Sequence, residues 1–240
     1  MEKVWTVKIA GPAGAGVKSA GLLLTQILNE SGYFLKDYSE YPSLVRGGHN
    51  TYQISFSKGE VFGVYQKLDV LISLSAGHWQ EHKKEMKKGG LIFTDNEGEN
   101  NLPLNEMSLQ LGSRIYANTI TLGLLVYLFA LDKKLSLKIV SKHFGENENN
   151  QRAFESGFKY GENNFREVVS SEEVNSKKVS SKKKIIVDGN EAVGWGLYKA
   201  GLNLYAAYPM TPATGVLHFL AKNQDEFNKN LNKYKNIDIS

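Results

Sequence analysis

A threonine held between two prolines stands near the end of the chain, in Tyr208-Pro209-Met210-Thr211-Pro212. The fixed φ of each proline, and the restriction each places on the residue before it, keep this backbone extended. The Thr211 hydroxyl and amide are therefore expected to be presented rather than buried. The apolar run Leu204 to Ala207 precedes the turn and an apolar-periodic segment from Val216 follows it. That pattern puts Thr211 where a strand gives way to a helix, the place at which open α/β sheets bind ligands.

Gly11-Pro12-Ala13-Gly14-Ala15-Gly16 is a second constellation. Glycines at a strand-to-helix turn let an anion approach the free amides and positive dipole of a helix N-terminus. They equally permit the tight turn itself, and both readings stand. The spacing of Gly11, Gly14 and Gly16 reverses the dinucleotide fingerprint, which needs G-x-G-x-x-G. Gly11 to Gly16 begins a phosphate-binding P-loop, but Val17 intervenes before Lys18-Ser19, and one inserted residue turns the lysine by about a hundred degrees around the helix. ATP or GTP hydrolysis is therefore set aside.

Arg46-Gly47-Gly48 offers a forked cation on unobstructed backbone, suited to a carboxylate or phosphate. Pairing of Arg46 within a subunit interface is the alternative. His78-Trp79-Gln80-Glu81-His82 has the H-x-x-E-H spacing of inverted zinc proteases, with histidines four apart on one helix face. It lacks a third ligand at a usable spacing, His49, His143 and His218 included, and reads as a lysine-rich solvated or interface helix. No metal site is expected. Asn118 is read as the cap of the helix that follows it, with Gly123 allowing close packing.

The elements that must position these groups alternate. Strands are expected at Val4–Ala10, Tyr33–Tyr38, Asn50–Phe56, Val70–Leu74, Leu91–Thr94 and Arg114–Ala117. Helices are expected after the glycine loop as far as Asn29 to Gly32, then over Ala76–Lys88, Asn118–Leu131, Leu135–Phe144 and Asn149–Val168. This order predicts an α/β fold with a mixed, largely parallel layered sheet, with one antiparallel hairpin at Ser57-Lys58-Gly59-Glu60. Beyond it, Ile185–Val187, the helix Glu191–Lys199, the strand Leu204–Ala207 and a helix from Thr214 toward Lys222 make about a third of another domain. The sequence after Phe227 is too polar to complete a parallel sheet.

Between Ser170 and Lys184 five lysines stand against Glu172 and Glu173, supplying +3 of the net charge of +4. A basic Ser/Lys linker over 169–184 explains the charge better than a nucleic-acid face does, and it divides residues 1–168 from 185–240. Without cysteine, the chain can hold neither a disulfide nor a cysteine-bound iron–sulfur cluster. The longest nearly apolar stretch, Thr119 to Leu131, is too short to span a bilayer. Met1-Glu2-Lys3 leads straight into a strand-length run, so a cytoplasmic location is expected, with no membrane or nucleic-acid partner.

Gly189-Asn190-Glu191-Ala192, Ala200-Gly201 and Tyr208 to Pro212, in that order and spacing, resemble the start of the alpha chain of the 2-oxoacid:ferredoxin oxidoreductases, the family of pyruvate and 2-oxoglutarate synthases. Residues 1–168, with the glycine loop and Arg46-Gly47-Gly48, resemble the gamma domain that many members carry ahead of that chain. The resemblance implies oxidative decarboxylation of a 2-oxo acid to an acyl-CoA, with electrons passed to ferredoxin. It implies that Thr211 meets the substrate carboxylate, with Tyr208, Pro209 and Pro212 around it. Gly11, Gly14, Gly16, Arg46, Gly47 and Gly48 would line either the coenzyme A path or a subunit interface. Residues 185–240 would open an incomplete α/β domain of the thiamine-diphosphate pyrimidine type. Its catalytic glutamate and pocket-sizing residues would lie past Ser240, leaving no catalytic residue here and an isolated chain without activity. Thiamine diphosphate would be shared with or held by a beta subunit, iron–sulfur clusters would sit on partner chains only, and the assembled units would pair as a dimer. An indolepyruvate-type subunit, or a nucleotide-binding or assembly module without turnover, are the alternative readings.

Overall fold

A computed structural model describes residues 2–40, 48–95, 100–145, 147–165 and 185–231. Arg46, Gly47 and the 169–184 linker lie outside the described residues. The chain divides into two compact units, Met1–Lys184 and Ile185–Ser240.

The larger unit is built on a six-stranded sheet of order β2-β3-β1-β4-β5-β6. Its strands are β1 (Trp5–Pro12), β2 (Phe34–Glu40), β3 (His49–Ser57), β4 (Leu68–Ser73), β5 (Met86–Thr94) and β6 (Asn100–Asn101). The sheet is mixed and mostly parallel: β1–β4, β4–β5 and β5–β6 run parallel, whereas β3 lies antiparallel to both β1 and β2. The reversal thus comes from β3 and not from a hairpin at Ser57–Glu60, because the chain leaving β3 crosses over to β4 instead of returning beside it.

One face of the sheet carries Val7, Ile9, Tyr52, Ile54, Phe56, Val70, Ile72 and Phe93 into the main core. That core is closed by α1 (Val17–Glu30), α2 (Leu104–Gln110), α3 (Ala117–Leu128), α4 (Lys133–Phe144) and α5 (Glu148–Asn164). In α1 the buried positions Val17, Ala20, Leu23, Leu24, Ile27 and Leu28 recur at helical spacing, so one apolar stripe faces the sheet. Helices α3 and α5 approach backbone to backbone. A Cβ at Gly123 would overlap the Phe154 carbonyl oxygen, and one at Gly157 would overlap the Ile120 carbonyl oxygen. The opposite face of the sheet is covered by a 3-10 segment, His78–Glu85, whose Trp79 packs with Ala10, Leu68, Leu71 and Ile92.

Two helix and strand expectations are corrected in this unit, and two elements went unforeseen. Ala76–Lys88 is not one helix: 3-10 turns end at Glu85 and β5 begins at Met86, where the Lys87–Asp69 ion pair at 2.6 Å ties the strand to its neighbour β4. Arg114–Tyr116 is a 3-10 turn leading into α3 instead of a strand, opened by the Ser113 side chain accepting from the Ile115 amide. Helix α2 and the two-residue β6 were not foreseen; the short α2 takes its cap from a distant side chain, the Asp95 carboxylate, which accepts from the Asn105 amide at 3.2 Å.

In the smaller unit α6 (Gly189–Lys199) and α7 (Thr214–Leu231) pack together. Asp188 and Glu191 form a capping box at the start of α6, which fixes that end by satisfying two otherwise open amides. Leu204–Ala207, expected as a strand, joins no ladder here, since a strand needs a hydrogen-bonded neighbour and none is offered among the described residues. The core is aromatic: Phe227 is 2% exposed and stacks on Tyr198 at 4.0 Å beside Trp195 and Phe219. Phe227→Ala is expected to destabilise this unit by about 3 kcal/mol, read as an early loss of the Trp195 near-ultraviolet signal while the larger unit's melting is unchanged.

Candidate functional site

The parallel strands β1, β4 and β5 end on one rim of the sheet, at Pro12, Ser73 and Thr94. Because β3 is antiparallel, it begins on that rim, with His49 opposite Pro12 and Asn50 opposite Gly11. The strand order reverses beside β1, and open α/β sheets bind ligands outside the carboxyl ends at such a reversal. The glycine loop lies directly there.

Gly11 closes on the end of β4: a Cβ at this position would come within 3.1 Å of the Leu74 Cβ, and the Leu74 amide donates to the Ala10 carbonyl at 2.8 Å. Gly14 and Gly16 have φ of 88° and 81°, a left-handed backbone that favours glycine. Space around Gly14 is open, whereas a Cβ at Gly16 would stand 2.5 Å from Asn118 Nδ2. Asn118 is buried inside α3 and does not cap it; the N-cap position is Tyr116, without a side-chain cap. The correction has a clear cause. Asn118 is turned toward Gly16, and its Oδ1 lies 3.2 Å from the Thr119 hydroxyl, which is also 3.2 Å from Asn150 Oδ1. The first turns of α1 and α3 are thereby joined at the loop.

Gly48 is buried, and its carbonyl accepts from the Ala13 amide at 3.2 Å. The glycine loop and Gly48, far apart in sequence, are thus stitched together on the rim.

Behind His49 lies a group that motif reading missed. Lys8 Nζ, on the face of β1 away from the main core, contacts Glu85 Oε2 at 2.5 Å and lies 3.4 Å from His82 Nδ1. His82 Nδ1 is 2.8 Å from Glu85 Oε1, and His82 Nε2 is 2.8 Å from His49 Nε2. Lys8 and His82 are buried. The 3-10 geometry of His78–Glu85, with three residues per turn, takes the positions of His78 and His82 off a common face, and His82 pairs with His49 and Glu85. The signal was Lys8 itself, a cation in the middle of the apolar strand Val4–Ala10, which requires a buried partner.

Burial acts to raise the Glu85 pKa, but hydrogen bonds and charge from Lys8 and His82 outweigh it, and the carboxyl is held below its usual 4.5. A lowered carboxylate contributes stability that is present above pH 4.5 and lost as pH falls through the folded-state value. Glu85→Gln is therefore expected to lower the urea midpoint at pH 7 and to flatten its decline between about pH 5 and 3. Asp95, by contrast, is raised by burial despite amide bonds from Asn105 and Leu104.

In the smaller unit the predicted turn is exposed along its length, Tyr208 at 82% and Met210 at 63%. No strand leads into it; Met210 O instead accepts from the Thr214 amide at 3.1 Å, so the turn runs straight into α7. Asn190 Nδ2 donates to the Pro212 carbonyl at 3.0 Å, and a Cβ at Gly215 would strike the Asn190 amide. The Gly189-Asn190 start of α6 and the Thr211 turn therefore form one clasped site, with the Thr211–Pro212 peptide cis.

Each unit in this way defines a class of protein: an α/β sheet with a glycine loop at its switch point, and a helix pair carrying a presented threonine turn. The chain belongs to the pyruvate ferredoxin/flavodoxin oxidoreductase family, which matches residues 6–160. It is 26% identical over 168 residues to the 2-oxoglutarate synthase subunit KorC of Archaeoglobus fulgidus, covering 67% of this chain and 90% of that one. It is 21% identical to the 2-oxoacid:ferredoxin oxidoreductase subunit alpha of Sulfolobus sp, across 90% of this chain but 42% of that protein. Among solved structures, the 2-oxoglutarate:ferredoxin oxidoreductase from Magnetococcus marinus, with 2-oxoglutarate, coenzyme A and succinyl-CoA bound, superposes with a TM-score of 0.78 at 23% identity. That match covers 94% of this chain and 42% of the other, and it establishes the shared fold.

Proposed function

We propose that residues 1–168 are the gamma-type unit, and 185–240 the opening of the alpha-type unit, of a 2-oxoacid:ferredoxin oxidoreductase, joined by the basic linker 169–184. In the assembled enzyme a 2-oxo acid is decarboxylated and its acyl group joined to coenzyme A, with two electrons leaving through iron–sulfur centres on partner chains to ferredoxin. The beta subunit is the partner, and the assembled units pair as a dimer. The chain works in the cytoplasm; no helix among the described residues is long and apolar enough to cross a membrane.

The observation that carries this reading is the order of two sites on one chain: a stitched glycine rim within the family match, then the Asn190–Pro212 clasp that presents Thr211. At the rim, the Gly11, Gly14 and Gly16 loop leads into the N-terminus of α1 with open space around Gly14, suited to the phosphates of coenzyme A. Gly48 enters the same rim, and Arg46 and Gly47, which precede it in the chain, are assigned to the same coenzyme A path or to a subunit interface. At the clasp, the Thr211 hydroxyl donates to the substrate carboxylate, with Tyr208, Pro209 and Pro212 shaping its surround. Among the described residues no three acidic or imidazole side chains gather as a metal set of the kind a diphosphate cofactor uses. Thiamine diphosphate is shared with or held by the partner subunit.

Titration calorimetry of the full chain tests the rim. Coenzyme A is expected to bind, and Gly16→Val, forced into a left-handed backbone and against Asn118, to weaken it at least about tenfold, the equivalent of about 1.4 kcal/mol. Arg46→Ala should weaken it less. Binding of ATP with equal or greater affinity than coenzyme A would instead favour the nucleotide-binding module. Turnover by the isolated chain with a 2-oxo acid, coenzyme A and a dye would overturn the division of labour.

A further inference from the structure

A buried ion network is a poor way to gain stability, because desolvating its members offsets most of their attraction. The Lys8, His82, Glu85 and His49 group spans β1, the 3-10 segment and the first residue of β3, and it ends at the rim where Gly48 meets the glycine loop. We propose that His82 and Glu85 are positioning residues that act through His49: they latch the start of β3, and with it the Gly48 carbonyl, onto the Ala13 amide, and protonation opens the latch. The effect on ligand affinity rests on the coenzyme A reading above; the latch itself does not.

The proton count follows from the distances. A carboxylate only accepts, so Glu85 Oε1 at 2.8 Å takes the proton on His82 Nδ1. The 2.8 Å contact between the two Nε2 atoms holds one proton, donated by either ring. It survives when the pair is neutral and when it carries one extra proton, since one Nε2 still keeps its lone pair. With both rings as imidazolium, two N–H groups face each other and the contact is lost. Among the described residues, the charged or titratable groups touching His82 are Lys8 from β1, His49 from β3 and Glu85 from its own segment. Asp69 of β4 is engaged by Lys87 of β5 at 2.6 Å. The second proton has to enter beside an imidazolium and the Lys8 ammonium, with Glu85 alone favouring it, so the opening runs toward acid.

Amide hydrogen exchange at Ala13, measured by NMR on the full chain and corrected for intrinsic rates, tests the latch without any ligand. In the wild type, protection is expected to fall about fivefold as the pH is lowered from about 8 to the acid limit of the folded state, the size of one hydrogen bond. His82→Phe fills the same space and keeps the Lys8–Glu85 pair; its Ala13 protection is expected to be low and independent of pH. Protection that ignores pH in the wild type, or that His82→Phe leaves intact, overturns the proposal. Because the wild-type titration needs no substitution, a variant that fails to fold leaves the test in force. Calorimetry then reads the consequence: coenzyme A affinity should follow Ala13 protection with pH in the wild type and not in the variant. If affinity ignores both while Ala13 responds, the positioning role fails. If coenzyme A binds at no pH while Ala13 responds, the latch stands and the coenzyme A reading falls.

Discussion

Gly157→Ala is expected to cost the larger unit about 3 kcal/mol or more, at the upper end of what overpacking a core does. The reason is the identity of the neighbour. A Cβ at residue 157 falls on the Ile120 carbonyl oxygen, a backbone atom fixed within α3, and it cannot rotate away. Relief requires α5 to move off α3 as a body, which also separates Gly123 from the Phe154 carbonyl and loosens Ile120, Ala153 and Phe154, all of them in the core. Gly161 supplies the control. Its added Cβ would meet the Tyr127 ring, a partly buried side chain that can turn aside, so Gly161→Ala should cost about 1 kcal/mol. Urea titrations of both variants decide the matter; Gly157→Ala as stable as the wild type would show that the helix pair is more compliant than its packing implies.

If Thr211 holds the substrate carboxylate as proposed, Thr211→Val in the assembled enzyme should lower kcat/KM for the 2-oxo acid by about a hundredfold, the upper range for removing a hydrogen bond to a charged group. The substitution keeps the shape of the side chain and removes only the hydroxyl. On the proposed reading, in which coenzyme A binds at the glycine rim, its KM should not change. Asn190→Ala should act in the same direction and more weakly, about three- to tenfold, since it removes a tether to the Pro212 carbonyl and not a substrate contact. Steady-state kinetics with the partner subunit present provides both numbers. Thr211→Val with wild-type kcat/KM would mean that the turn serves packing only.

The alternation of strands and helices was legible because each element carries its own period: α1 shows a helical stripe, and β1, β3 and β4 are short apolar runs between turn residues. Elements whose shape depends on distant partners were not. Lysine-rich His78–Glu85 reads as a helix by composition, yet it is drawn into 3-10 turns where His82 reaches His49 and Trp79 reaches the second face of the sheet. Asn118 has the right type and position for a cap, and only the arrival of Gly16 shows what it faces. At the candidate site, the glycine loop and the threonine turn could be found because their backbone chemistry is local. The Ala13–Gly48 stitch and the Lys8–Glu85–His82–His49 group depend on β3 running backwards beside β1, which no local signal encodes.

That same strand order bears on how the chain is made. β1 leaves the ribosome first, and both of its neighbours, β3 and β4, come later, the second ending at Ser73. At ordinary synthesis rates the roughly sixty residues between them take about 3–12 s. Throughout that interval a strand containing Trp5, Val7 and Ile9 lacks its β4 neighbour, until Ser57 it lacks β3 as well, and Lys8 has neither Glu85 nor His82. A cation in the middle of the apolar run is then a gatekeeper against pairing with another nascent chain, and it is drawn into the interior only after Glu85 has been synthesised.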